Sequence, residues 1–386
     1  MTNQTASYAQ AIKDLAHRHG FMGAGIARAE YMDPEARRLE DWLGQNYHGQ
    51  MGYMANHFDL RVDPTRLVPG AKSVISLIYN YYPNTSSPPL KRESEGVGAG
   101  GLPVEPRELL NPLKRTSAEH DHPPPLKGAG GLPVDTDMLQ NTNEGTSEYK
   151  DHSASSRLTT DEENLKISRY AYGEDYHKVV RRKLKALVND MKATIGDFHA
   201  RVFVDSAPVL ERDWARRSGL GWMGKNTMLI HPKKGSYFFL AEIILDVELE
   251  YDHPIRDHCG TCTKCIDACP TEAISPEGYV LDGSKCISYL TIEIKEKIPA
   301  EFQDKMEGWI FGCDICQEVC PWNRFSTPHT EPAFEMSTDL KEMSKRDWVE
   351  LTEDAFNRLF EKSAVKRAGY EKLWSSIICM ESKKRC

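Results

Sequence analysis

Two hydrophobic periods alternate along the chain. Tyr8 to His19 carries Ile12, Leu15 and Ala16 at helical spacing, and Gly20 stands where a C-terminal cap belongs, which predicts a first helix. Met22 to Ala27 is a strand candidate of small residues, Pro34 to Leu43 a second helix, and Lys72 to Tyr82, with Val74, Ile75, Leu77 and Ile78, a buried strand. Further on, Val180, Leu184, Leu187, Val188 and Met191 recur at helical intervals, with Arg181, Arg182, Lys183 and Lys185 on the other side as a solvated face. Phe198, Ala200, Val202 and Val204 alternate as a strand that ends on Asp205. Pro208 opens a helix that runs to Arg217, and Ser236 to Val247 is a hydrophobic strand. Beyond Pro321 the pattern is helical, over Asp339–Arg346 and Glu350–Lys362. Strands and helices intermix, so the expected class is α+β: a mixed α/β body and a helical C-terminus.

The pattern fails between residues 84 and 165. There Gly, Pro, Ser, Thr, Asn and Glu dominate, and Gly-Ala-Gly-Gly-Leu-Pro-Val occurs twice, at Gly98 and Gly128, each time after Pro-Pro-Leu-Lys. Such a stretch buries too little apolar surface to offset its ordering entropy, and we read it as a disordered insertion in a surface loop. It holds 8 basic and 14 acidic residues and accounts for most of the net charge of −8, leaving a near-neutral body that can carry a local basic patch.

Cysteine changes the picture most. Eight of ten fall between Cys259 and Cys320. Cys259, Cys262, Cys265 and Cys269-Pro270 follow the C-x2-C-x2-C-x3-C-P run of two-cluster ferredoxins, whose fourth cysteine serves the other cluster. Cys313, Cys316 and Cys320-Pro321 repeat it one short, and Cys286 can supply the missing ligand. The spacing predicts one 4Fe–4S cluster on Cys259, Cys262, Cys265 and Cys320, and another on Cys269, Cys286, Cys313 and Cys316. Zinc has no use for C-x3-C-P, and disulfides need an oxidising compartment, whereas no signal peptide or long apolar stretch is visible. A cytoplasmic chain that moves electrons and does not enter a membrane is expected. Cys379 and Cys386 lie outside the pattern as plain thiols.

Several short motifs surround plausible active-site turns: Arg61-Val-Asp63-Pro64 with Leu67-Val-Pro69-Gly70-Ala-Lys72, Arg169-Tyr170-Ala-Tyr-Gly173-Glu-Asp175-Tyr176-His177, Val204-Asp205-Ser206-Ala207-Pro208-Val-Leu-Glu211-Arg212, Gly219-Leu-Gly221-Trp222-Met-Gly224-Lys225-Asn226, and Cys286-Ile-Ser288-Tyr289-Leu290-Thr291-Ile-Glu293. With both cysteine runs, in this order, they resemble the epoxyqueuosine reductases, from about Tyr8 to Arg367 and interrupted only by the insertion. The resemblance implies removal of the epoxide oxygen from epoxyqueuosine at the wobble position of a tRNA, by a cobalamin-binding α/β domain carrying a ferredoxin-like insert. It implies a discontinuous catalytic domain over residues 1–83 and 166–248, the insertion at 84–165, a cluster domain at 249–330 and a helical segment with a basic tail at 331–386. It implies a short form, without the C-terminal repeat extension of longer members.

The family's proton donor falls on Asp205. An aspartate near its reference pKa of ~3.9 is ionised at neutral pH, so this one must be raised to donate. The competing reading is an Asp-Ser cap whose carboxylate stays ionised on backbone N–H groups. Cobalamin contacts carry over onto Arg61, Ser168, Asp205, Ser288, Asp314 and Ile315, and Gly221 to Asn226 either brings bare backbone against a flat ligand or forms an ordinary turn. His177 is a cobalt ligand, a substrate contact or a core histidine. Lys297, Lys366 and Arg367 are candidate tRNA contacts. An external low-potential electron donor and a monomeric state are expected. Two other readings are a different corrinoid- or flavin-dependent reductase of a small molecule, and a ferredoxin-type electron carrier. A carrier has no need of the long motif around Asp205.

Overall fold

Alternation in the apolar segments builds a four-stranded antiparallel sheet. Its strands β1 (Gly23–Arg28), β2 (Ser73–Asn80), β3 (Ala200–Phe203) and β4 (Phe238–Leu245) lie in the order β1-β2-β4-β3. The structure, a computed structural model, describes residues 2–84 and 165–382. The predicted insertion, apart from its two end residues, lies outside the described residues, as do Lys383-Lys384-Arg385 and Cys386.

The period of two sorts each strand's side chains. Ile75, Leu77 and Tyr79 of β2 and Phe239, Ala241, Ile243 and Leu245 of β4 point to one face, covered by the helices Thr2–Arg18 and Tyr176–Ile195. Val74, Ile78, Phe238 and Ile244 point to the other, against the helix Glu211–Arg217. Each fully buried aliphatic side chain contributes about 1.5–3 kcal/mol. The small residues of β1 have a packing cause: a Cβ on Gly25 would stand 2.1 Å from the Ser218 carbonyl oxygen.

A second core gathers the helix Ile287–Ile292, the strand Trp309–Phe311, and Trp348, Phe356, Phe360, Leu373 and Ile377 of the helical C-terminus. Lys166–Ile167 pairs in parallel with Trp309–Phe311 and ties this core to the chain that re-enters after residue 164. The fold is therefore mixed α/β with a helical C-terminus, as the periodicity predicts. Among the described residues no helix is long and apolar enough to cross a membrane.

Boundaries depart from expectation in three places. The first helix begins at Thr2, before its apolar stripe. The helix expected from Pro208 begins at Glu211, because residues 204–209 close tight turns through Ser206 N–H to Val204 and Ala207 N–H to Asp205. The helix expected over Asp339–Arg346 splits into Thr338–Glu342 and Lys345–Val349. A Ser344–Asp347 capping box starts a new helix there, and Thr352 caps the next at Glu353–Leu359.

Candidate active site and cluster thiols

The 43-residue gap between the cysteine runs folds back on itself, and the thiols gather in two sets. Burial, then the neighbouring Cys320, Cys259 and Cys262, pushes the Cys265 thiol up to about 11. The same four cysteines, with Lys225, Asn226 and Trp322, line one small cavity. Burial, then Cys286, Cys269 and Cys265, pushes Cys316 well up, and burial with Cys316 and Cys286 does so for Cys313. Cys265 is the one member of the first group whose charge also acts on Cys316. Neighbouring thiolates repel one another, and iron ligation offsets that repulsion. No group of three or more His, Cys, Asp or Glu among the described residues converges on a single metal ion. Trp222 Nε1–H donates to Cys259 Sγ at 3.4 Å and Ala273 N–H to Cys269 Sγ at 3.4 Å. Ser288 sits in the first turn of the helix Ile287–Ile292, which Cys286 precedes, and it does not line the cleft described next.

Beside the thiols the chain forms a cleft of about 800 Å³, at the upper end of the range for small-molecule sites. Tyr53, Arg61, Tyr170, Tyr176, His177, Asp205, Glu211, Glu293, Phe311 and Arg367 are among the residues that line it. The Asp175-Tyr176-His177 triplet is positioned by a helix start. Asp175 caps the helix Tyr176–Ile195 by accepting from His177 N–H at 3.0 Å, and the same carboxylate lies 2.7 Å from His177 Nδ1. Tyr176 stacks between His177 and Phe239, each ring centroid 4.1 Å away.

Asp205 sits at φ +55°, a left-handed conformation that costs a non-glycine residue and aims this one at the triplet. Its Oδ2 accepts from the Tyr176 hydroxyl at 2.6 Å and lies 3.0 Å from His177 Nε2, and its N–H donates to Glu211. The carboxylate caps no helix, so the capping alternative fails. Surrounding protein raises its pKa, but bonds from His177 and Tyr176 outweigh that and hold it below the usual range. His177 moves the opposite way. Burial and Arg367 lower it, while Asp175 and Asp205 raise it to a net upward shift. In the open cleft, then, the proton of the pair resides on the imidazole and not on the carboxyl.

Ser168, Asp314 and Ile315 do not line this cleft; they lie two to four positions along the chain from Tyr170 and Phe311, which do, with Asp314 and Ile315 between Cys313 and Cys316. Asp314, 1 % exposed, accepts from the Ser168 hydroxyl, from Arg169 N–H at 2.9 Å and from Arg169 Nη1 at 3.0 Å. Arg169 also reaches Glu318 at 2.7 Å. Arg61 is buried and donates to the carbonyls of Tyr53 at 2.7 Å and Asn56 at 3.3 Å, which fixes the Tyr53 rim of the cleft. Gly221 to Asn226 belongs to a small hairpin with Leu229–Ile230 and lines the first thiol set. Close approach there is protein to protein: a Cβ on Gly221 would stand 2.4 Å from the Ile230 carbonyl oxygen. Lys297 and Lys366 are exposed, whereas Arg367 reaches into the cleft, 2.7 Å from His177 Nε2. Tyr176, Glu211 and Glu293 stand in the quoted motifs but were given no role there, and Tyr53 lies outside them.

Two thiol sets beside a cleft with an acid–base pair define an iron–sulfur oxidoreductase. A family model described as "4Fe-4S double cluster binding domain" matches residues 258–323, and one described as "Epoxyqueuosine reductase QueG, DUF1730" matches residues 146–206. The chain is 46 % identical to the epoxyqueuosine reductase of Cyclobacterium marinum, over 94 % of each chain. It is 33 % identical to that of Escherichia coli, over 94 % of this chain and 77 % of the other. Among solved structures it resembles an epoxyqueuosine reductase with an epoxyqueuosine-modified tRNA-Tyr stem loop. That match has a TM-score of 0.72 and 26 % identity, covering 97 % of this chain and 80 % of that one. It also resembles the Bacillus subtilis enzyme with a catalytic aspartate loop swung out of the active site, at a TM-score of 0.70 and 25 % identity over 97 % and 81 %. The chain belongs to the epoxyqueuosine reductase family, and it carries two 4Fe–4S clusters.

Proposed function

We propose that this chain reduces epoxyqueuosine to queuosine in tRNA, with cobalamin in the cleft and electrons delivered through the two clusters. The observation that carries this is the seating of Asp205, with its Tyr176 and His177 partners, on a large cleft in a chain that also carries the eight-cysteine double-cluster segment. A mere electron carrier would need neither cleft nor acid. We assign residues 1–83 and 166–248 to the catalytic domain, 249–330 to the cluster domain and 331–386 to the helical segment. The thiols Cys259, Cys262, Cys265 and Cys320 take one cluster; Cys269, Cys286, Cys313 and Cys316 take the other.

The residues fit a wide, flat ligand with polar edges. Aromatic rings of Tyr53, Tyr170 and Phe311 offer apolar faces, and Arg61, Arg367 and main-chain groups of residues 205–210 offer polar contacts. Arg61, which lines the cleft, would hold the corrin; Ser168, Ser288, Asp314 and Ile315 lie outside that lining. Cobalamin, when bound, supplies a reduced centre able to open the epoxide.

The remaining work falls on side chains. Turning an epoxide into an alkene consumes two electrons and two protons, and the oxygen leaves as water. Asp205 is the group nearest an incoming substrate that can protonate that oxygen, but with the cleft open its side chain is 56 % exposed and ionised. Filling the cleft strips water from Asp205 and raises its pKa by desolvation. His177, held between Asp175 and Asp205, then passes its Nε2 proton across 3.0 Å to Oδ2, and Tyr176 keeps the acceptor in place. Lys297 and Lys366 remain proposed contacts for the tRNA backbone, which binds through phosphate.

The test is anaerobic. Purified, cluster-loaded protein should retain cobalamin with a visible spectrum that changes on reduction, and should convert epoxyqueuosine in a tRNA stem loop to queuosine. Retained clusters with neither corrinoid binding nor conversion would reject the reading in favour of an electron carrier.

A further inference from the structure

Behind Asp205 the structure buries a second acid where the strand pattern calls for an apolar residue. β4 reads Phe-Phe-Leu-Ala-Glu-Ile-Ile-Leu, and its Glu242 is 0 % exposed, in register with Ser76 of β2 and Phe203 of β3. No donor reaches either carboxylate oxygen of Glu242 among the described residues. The group that acts on it most strongly is another acid, Glu211, at the start of the helix packed on this face of the sheet. Two carboxylates are acceptors only, so the two can share a bond only when one is protonated. The charged groups that act on the pair are few. Asp205 is negative and repels both. Arg212 attracts Glu211 from a distance, but its guanidinium is turned to the hairpin, where it donates to the Thr227 carbonyl at 2.6 Å. A buried Glu242 carboxylate with no donor, beside a second charge on Glu211, would cost several kcal/mol. Burial and the Asp205 charge accordingly push Glu211 up to about 8 and Glu242 well above its usual range.

Glu211 also faces the reaction. It lines the same cleft as Asp205 and accepts the Asp205 backbone N–H, which helps hold that residue in its left-handed turn. The proposed reaction needs two protons, and the His177–Asp205 bridge stores one. We propose that Glu211 and Glu242 share a proton in the resting enzyme and that this pair is the reserve for the second proton, delivered through Glu211 at the cleft wall. In balance, the opened epoxide oxygen takes one proton from the Asp205 side and one from the pair, leaves as water, and the two electrons come from the cluster-fed reductant. Glu211–Glu242 is left as a dianion, which solvent re-protonates. This inference rests on the reductase reading of the cleft.

Glu242→Gln keeps the shape and can donate to Glu211, and Glu211→Gln keeps an acceptor for Asp205 N–H. Infrared spectra of the cluster-loaded protein without cobalamin should show a protonated-carboxyl band at pH 7 that fades above about pH 8 and is absent from both variants. Single-turnover conversion should fall about 10–100-fold in Glu242→Gln at pH 7.5. The deficit should shrink toward pH 6, where solvent supplies protons. A wild type lacking the band, or variants with wild-type rate and pH profile, would overturn the proposal. Wild type that shows the band but never converts the substrate would sink the reductase reading instead, and the reserve role with it, while leaving the shared proton standing.

Discussion

His177 Nε2 lies 3.0 Å from Asp205 Oδ2 while its Nδ1 lies 2.7 Å from Asp175, so one imidazole bridges two carboxylates. The bridge decides which residue holds the proton, and it makes the site pH-sensitive. His177 is raised above 6.5, so what it contributes to stability is fully present below pH 6.5 and is lost as pH rises through the folded value. Asp175 and Asp205 are lowered from 3.8, so their share is present above that value and is lost on acidification below it. His177→Gln should therefore cost thermal stability most between about pH 4 and 6.5 and least at pH 9. It should slow turnover by about 10²–10⁴. An unfolding difference that grows toward pH 9 would mean the histidine is simply packed.

Asp205→Asn keeps the bonding shape and removes the titrating oxygen. Turnover should be lost while both clusters and cobalamin stay bound, since the Asp205 side chain caps no helix and its loop is tied through its N–H to Glu211. Cobalamin titration of the variant is the check; lost binding would make Asp205 a structural contact first.

The four-and-four sharing of thiols predicts selective loss. Cys262→Ser should remove one cluster and about half the iron, leaving the set of Cys269, Cys286, Cys313 and Cys316. Cys286→Ser should spare the set of Cys259, Cys262, Cys265 and Cys320. Iron analysis with electron paramagnetic resonance of the reduced proteins distinguishes the two. Identical losses from both variants would show that the sets do not assemble independently.

Asp314 is the buried member of an ion pair with Arg169, and it also ties down Ser168 and the Arg169 main chain. Burial outweighs the Arg169 attraction and raises its pKa, so the pair gains little as a salt bridge; its worth lies in leaving no group unpaired. Asp314→Ala strands the Ser168 hydroxyl and the Arg169 main chain together. It should cost about 3 kcal/mol in thermal unfolding and weaken cobalamin retention. An unchanged midpoint would show that these Asp314 bonds add nothing to the fold.

How much of this was legible depends on the kind of signal. The strands of the sheet and the helix Tyr176–Ile195 announced themselves because their apolar periods are unbroken, and the thiol sets because ligand spacing is a covalent constraint read directly from sequence. The turn at residues 205–210 was not legible. Pro208 looked like a helix start, but the positive φ of Asp205 and the hydrogen bonds of its turn delay the helix to Glu211. Arg367 looked like tail charge because nothing local says that residues 364–367 turn back onto His177 across 190 positions. Glu242 was hidden in the opposite way. Seven apolar neighbours made its strand certain and its own chemistry easy to pass over.

That strand carries the last expectation. Glu211, pushed up to about 8, keeps its proton in the folded protein at pH values where the unfolded chain has lost it. A carboxyl raised in this way contributes stability that is full below about pH 4.5 and lost as pH rises through about 8. Wild-type stability should therefore decline across that window, over and above any other titration. Glu242→Gln supplies a donor to Glu211 and removes one of the two acids, so the decline should flatten. The buried amide leaves at least one of its own groups without a partner, at about 1–3 kcal/mol, so the variant can be less stable than wild type at pH 5. The sign lies in the difference: its deficit should shrink, or reverse, between pH 5 and pH 8. Melting curves of the cluster-loaded proteins at the two pH values measure it, and a deficit equal at both would mean that the Glu211–Glu242 contact holds no proton to lose.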